Sequence, residues 1–228
     1  MLTALSYLEI ETAVRPSVTY LDPAQMSLDE FGLDLFDRPI HRSDEEQRFM
    51  VRRSADDFDD YEMDHEAFVR LVTEVYRRFG EVTGRYSVEQ VDQGIWYLIG
   101  YVFMMDSVLA QRVSVEAAAE NIRAAYHLFA DYVQRVPGAD VTGGFFMFWD
   151  EYSCVRREEL RPVLLEALEH VLALDHEECQ RAALHGLNHL HPFPGVQEAI
   201  DDFLERSAGR LSQDLYDYAR WAREGKAG

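Results

Sequence analysis

The chain has 228 residues and carries 22 Lys+Arg against 42 Asp+Glu, a formal net charge of -20. That length holds one large or two small domains, and so acidic a surface excludes a globally basic nucleic-acid binder, because it would repel phosphates. Only two cysteines are present, Cys154 and Cys179, which excludes a disulfide scaffold.

The opening stretch, MLTALSYLEIETAVRP, has no basic start, and Glu9 and Glu11 interrupt it before an apolar run forms. It therefore does not read as a signal peptide. Leu5–Val14 suits a strand or a short helix. Asp22-Pro23, Gly32 and Arg38-Pro39 then break residues 1–45 into short pieces, so an irregular segment packing partly on the body is expected. Residues 1–66 hold 17 acids and 6 bases, and residues 67–228 hold 25 acids and 16 bases, so over half the negative excess lies in under a third of the chain.

The densest part is Ser54–Glu66, with seven acids in thirteen residues. A run of this kind is most often a solvated loop. Phe58, Tyr61 and Met63 interleave with the acids, however, and an acidic segment bearing aromatics suits docking on a basic partner. Asp56, Asp57, Phe58, Asp59, Asp60 and Tyr61 are the candidate partner-binding residues. A calcium loop fails here, because Tyr61 and Glu62 stand where further ligands and the turn glycine are needed.

From Asp64 onward the apolar period is that of a helix. Phe68, Leu71, Val72, Val75, Tyr76 and Phe79 form one stripe, with Asp64 as its cap and Gly80 as its end. Ser87 and Gln90 make a capping box for the next helix. This helix runs into the longest apolar stretch, the eleven residues Ile95–Met105. A membrane span needs roughly 20, so a central core helix is expected. Ser114 opens a third helix, with Val115, Ala118, Ala119, Ile122, Tyr126, Phe129 and Val133 on one face. Val136–Gly144 breaks it, and a short aromatic helix follows over Phe145–Tyr152. The sequence FFMFW within it cannot turn every ring inward, so part of it is expected at a surface. Leu160–Leu172 is another amphipathic helix, with Pro162 in its first turn. Asp175 caps a helix whose buried face is Cys179, Ala183, Gly186, Leu187 and Leu190. Val196–Leu204 and Ser212–Ala222 are the last two.

The stretch His176–Arg206 resembles a HEAT-like repeat. HEECQRAALHGLNHL supplies a first helix with small alanines and a glycine, HPFP a proline turn, and GVQEAIDDFLER a second amphipathic helix. Arg157–Leu174 looks like the second helix of a preceding unit. The resemblance covers roughly the last third, and no period of 30–45 residues repeats along the chain. It implies stacked helix pairs and a protein-binding surface, and it implies no reaction.

Five of the eight histidines fall within 22 residues: His170, His176, His185, His189 and His191. His185 and His189 are four residues apart, so their rings share one helix face. Such a pair binds zinc when a third ligand arrives. Glu178 is seven residues from His185, ~10 Å along the axis, and cannot share an ion with the pair. The third ligand must come from His191, His170 or elsewhere. No H-E-x-x-H, GxSxG, Walker A or GxGxxG is present, and the plainer reading makes these histidines flanks of an apolar stripe. Gly143-Gly144 places free amides at a helix start, which suits an anion, although a loop glycine pair is commoner.

The expected architecture is all-α, with an irregular acidic segment over 1–63 and a helical domain over 64–228. Its antiparallel hairpins form a HEAT-like or α-solenoid-like array. The expected role is non-enzymatic binding of a protein partner, a basic one, as an immunity, inhibitor or adaptor protein does. No motif calls for a cofactor, direct nucleic-acid binding or membrane insertion, and a cytoplasmic location follows. The alternative is a metal-dependent enzyme built on the His170–His191 cluster, with His185 and His189 as ligands and zinc as the ion.

Overall fold

The computed structural model describes residues 23–40, 64–101, 105–136, 143–153 and 157–227. Every regular element among them is helical. The first, α1, spans Leu28–Phe36, inside the stretch expected to be irregular. Ser27 and Glu30 close a capping box around its start, and Phe31, Leu35 and Phe36 turn into the core. Phe31 meets Phe68 edge to face, with ring centres 5.9 Å apart.

Next come α2 (His65–Arg77) and α3 (Val88–Trp96), capped by Asp64 and by the Ser87–Gln90 box as expected. The stop expected at Gly80 is replaced by a short helical piece, Phe79–Thr83. A Cβ on Gly80 would lie 3.0 Å from the Asp131 carbonyl oxygen, so the glycine there permits a close approach rather than ending a helix. The apolar stretch after α3 continues as a wider π turn over Tyr97–Tyr101, with Leu98 and Ile99 fully buried. Then follow α4 (Met105–Gln111) and α5 (Val115–Ala124), the latter capped by Ser114. The stripe expected to run unbroken to Val133 instead splits after Ala124. It ends in a second π turn, Phe129–Val133, in which the Gln134 amide donates to the Phe129 carbonyl at 2.9 Å.

The remaining helices are α6 (Gly144–Ser153), α7 (Arg161–Leu172), α8 (Glu177–Leu190), α9 (Val196–Arg206) and α10 (Gln213–Arg223). Pro162 does sit in the first turn of α7. The cap expected from Asp175 on α8 is not made. His176 holds the N-cap position with no side-chain bond, so the helix begins one residue later. Ser212 caps α10.

In space α2, α5, α7, α8 and α10 form a row of neighbours, while α6 lies against both α8 and α3. Among the described elements, the contact between α6 and α8 is the most extensive. It is close because Gly186 has no side chain: a Cβ there would lie 2.6 Å from both Trp149 Cβ and Leu168 Cδ2. Phe129 stacks on Trp149 at 5.7 Å and Phe148 on Tyr152 at 4.5 Å, so the aromatic content of the middle region forms the core around α6. Cys179 is buried there as a small apolar group, and burial pushes its thiol up to about 12. Cys154 lies outside the described residues.

Two polar devices fix α6. The first is a buried chain of hydrogen bonds. Tyr152 Oη donates to Asn121 Oδ1 at 2.8 Å, Asn121 Nδ2 to Thr73 Oγ1 at 3.1 Å, and Thr73 Oγ1 to the Val69 carbonyl at 2.7 Å. With its own proton so used, the Tyr152 oxygen accepts from Tyr76 Oη at 2.8 Å. No proton is claimed twice along this chain, which ties α6 to α2 and α5.

The second device is Asp92, on α3. The Gly144 amide donates to its Oδ1 at 2.7 Å, and the Phe145 amide also donates to it. The anion that Gly143-Gly144 seemed suited to hold is therefore the protein's own carboxylate, acting as a cap supplied from another helix. Burial raises the Asp92 carboxyl above its ordinary range, and the two amides pull it back. Asp92→Ala strands two inward-facing donors and is expected to cost about 2 kcal/mol in denaturant unfolding. Asp92→Asn keeps one acceptor oxygen and is expected to cost less than half of that.

Candidate metal centre

The histidine cluster of the sequence separates in space. His170 sits at the surface beside the Tyr126 ring, and His176 lies 3.7 Å from Cys179 Sγ. His191 packs beside Gly225. Only His185 and His189 stay together, with ring centres 4.7 Å apart on one face of α8. Their third companion is Asp150, from the facing helix α6. One donor atom from each of Asp150, His185 and His189 lies within 4.8 Å of the other two. Among the described residues these form the one group of three or more His, Cys, Asp or Glu side chains with that convergence. Glu178 is outside it, as the axial spacing requires.

The local sequence explains the convergence. The spacing of His185 and His189 gives one face of α8, and Gly186 between them lets α6 approach that helix closely. On α6, Phe145, Phe148 and Trp149 take the buried positions. Asp150, next along the helix, is thereby turned to the seam between α6 and α8, where its side chain is 23% exposed. Phe146 is the ring of FFMFW that leaves the core. It stacks on His185 at 4.3 Å between ring centres and walls the site on one side.

The three donors differ in freedom. Asp150 Oδ1 lies 3.2 Å from His189 Nε2, an ion pair when the imidazole is protonated. His185 is buried, and its Nδ1 lies 2.9 Å from Tyr218 Oη on α10. Its Nε2 is buried without a hydrogen-bond partner. A buried polar atom left unpaired is rare in a folded protein and asks for an explanation. Burial holds the His185 imidazole below its ordinary value, a nearby positive His189 adds to this, and Asp150 opposes it. His185 is thus neutral at neutral pH, the form that binds metal.

The same shift has a consequence for stability. A histidine whose folded value is depressed is stabilising above its unfolded value and loses that contribution as acid protonates the unfolded chain. In the presence of chelator, stability should fall as pH drops through 6.5, the ordinary histidine value. His185→Gln should flatten that fall by up to ~1.4 kcal/mol per pH unit. Parallel urea titrations of the two proteins at pH 7 and pH 5 check this, and equal slopes would contradict it.

The geometry suits a small divalent ion. At metal–ligand lengths near 2.1 Å, adjacent ligand atoms sit ~3.0–3.4 Å apart. Asp150 and His189 are already at that separation, and their partly exposed side chains have the rotamer freedom to close on the fixed His185. Two imidazoles and one carboxylate are a donor set for zinc, iron(II) or manganese(II), with no thiolate to favour softer ions.

Of the residues singled out from the sequence, His185 and His189 are thus in the site, while Asp56, Asp57, Phe58, Asp59, Asp60 and Tyr61 lie outside the described residues. Asp150, Phe146 and Tyr218 carry no motif. The only sequence signals for them were an acid placed just after an aromatic run and a stripe tyrosine with a polar tip. No helix among the described residues is long and apolar enough to cross a membrane. No protein-family model matches the chain, and no curated protein or solved structure matches it significantly.

Proposed function

We propose that the chain binds one divalent first-row transition-metal ion through His185, His189 and Asp150, and that it is a metal-dependent protein of the open-site kind. The observation that carries this reading is the arrival of Asp150 on the face of α8 that bears the histidine pair. A third ligand was what the sequence lacked. Structural zinc sites are closed by four protein ligands, whereas sites that work on a substrate keep a position for water or substrate. Three ligands at a partly exposed seam fit the second kind. When bound there, the ion would supply Lewis-acid chemistry at that position. Phe146 would exclude water on one side, while the side of Asp150 and His189 gives access.

This reading stands ahead of the partner-binding one because it rests on placed atoms. Binding of a basic protein partner is supported by the net charge, by residues 54–66 and by the HEAT-like resemblance of the C-terminal third. Elemental analysis tests the metal reading after the chain is stripped with chelator, given excess zinc and desalted. One equivalent retained is the expected result. Less than a tenth of an equivalent of zinc, with iron and manganese equally absent after parallel loading, would overturn it.

A further inference from the structure

We infer that Tyr218 is the positioning residue of this site: its phenol oxygen accepts the Nδ1–H of His185, and this leaves the Nε2 lone pair of that ring as its metal donor. The inference rests on the metal reading above and adds to it a determinant of affinity on a third helix.

Two neutral forms of His185 are open to it. If Tyr218 donated to Nδ1, the proton of the ring would sit on Nε2, where no acceptor is bonded to it. That would orphan a buried N–H donor, which is rarer and more costly than an under-used lone pair. With the proton on Nδ1, the 2.9 Å contact to Tyr218 Oη satisfies it, and Nε2 is left as the bare lone pair a metal needs. A ligating histidine that donates its other N–H to an oxygen is the usual supporting arrangement of a metal site, because it fixes both ring direction and tautomer.

Tyr218 is itself held in place. The Arg181 guanidinium lies over its ring at 5.5 Å, and Arg181 is anchored by Glu177 at 3.1 Å. Glu177 in turn accepts from Ser212 Oγ, the cap of α10, at 2.9 Å. The phenol is therefore fixed to α8 and α10 at once. From the sequence, Tyr218 is one more apolar residue on the stripe of the last helix. Its oxygen acquires a role only because α10 packs on the histidine-bearing face of α8.

The experiment is a paired one on the full chain. Two-bond proton–nitrogen spectra of the metal-free protein, labelled with nitrogen-15 histidine, read the tautomer of His185. Zinc affinity is then measured for the native chain and for Tyr218→Phe. The expected result is a His185 protonated at Nδ1 in the native chain, and a 10–100-fold weaker zinc affinity in Tyr218→Phe, with native-like circular dichroism. A His185 protonated at Nε2, or an unchanged affinity in the variant, would overturn the inference. If the native chain binds no zinc, the metal reading fails on its own, and the spectrum still decides what Tyr218 does to His185. If Tyr218→Phe does not fold, the native spectrum decides alone.

Discussion

Zinc at a thousandfold excess over its dissociation constant is expected to stabilise the native chain by ~4 kcal/mol, and to stabilise Asp150→Ala, His185→Ala and His189→Ala little or not at all. The size follows from mass action, since an ion that binds only the folded state shifts unfolding by RT ln(1 + [L]/Kd). The three variants differ in their metal-free stability, which makes the contrast informative. His189 and Asp150 are part-exposed, so removing either should leave the apo protein within about 1 kcal/mol of native. His185 is buried between Phe146, His189 and Tyr218, so His185→Ala opens a space and destabilises the apo protein more. Thermal unfolding with chelator, and then with zinc, separates the two effects. A zinc-induced rise that survives equally in all three variants would place the ion elsewhere.

Trp149→Ala is expected to be the most damaging single change, at ~3–5 kcal/mol. Trp149 is fully buried, stacks on Phe129 and meets Phe148 and Tyr152 edge to face. Its Cβ also lies where Gly186 lets α6 and α8 close on each other. Losing the ring empties the centre of the aromatic core and loosens the helix that carries Asp150. Zinc affinity should therefore fall together with stability. One unpaired group tempers the loss, because the Trp149 indole N–H is buried without a partner, and the variant no longer buries it. Trp149→Phe keeps most of the packing and removes that N–H, so it should cost less than half as much. Urea unfolding of both variants measures this, and a loss below about 1 kcal/mol in Trp149→Ala would contradict the packing account.

The helical architecture was legible because its signals are local. Asp64, the Ser87–Gln90 box, Ser114, Pro162 and Ser212 announce helix starts through bonds made within one turn. Where the reading departed from the structure, a contact between distant residues decided. Gly80 looked like a helix end and is instead the point where the backbone meets Asp131. Gly143-Gly144 looked like an anion cradle, and Asp92, far away in sequence, supplies the anion. Residues 1–45 are the exception, since Ser27 and Glu30 form the same local box as Ser87 and Gln90, and it prevails over Gly32 as a break. Gly32 is buried within α1.

Half of the candidate site was legible for the same reason. The four-residue spacing of His185 and His189 places two rings on one face without any knowledge of the fold. Asp150 and Tyr218 come from other helices, and nothing in their own neighbourhoods marks them. They join the site through helix packing, which depends on Gly186 and on the stripe of α10. Phe146 was half-legible, since five large residues in a row cannot all be buried by one helix.

The most direct measurement of the central claim is a cobalt(II) titration of the metal-free chain, followed by visible absorption. Cobalt held by two imidazoles and a carboxylate with open positions should give ligand-field bands that saturate at one equivalent, that zinc abolishes and that are absent in Asp150→Ala. A spectrum that stays that of the aqueous ion through the titration, or bands that persist unchanged in Asp150→Ala, would contradict it.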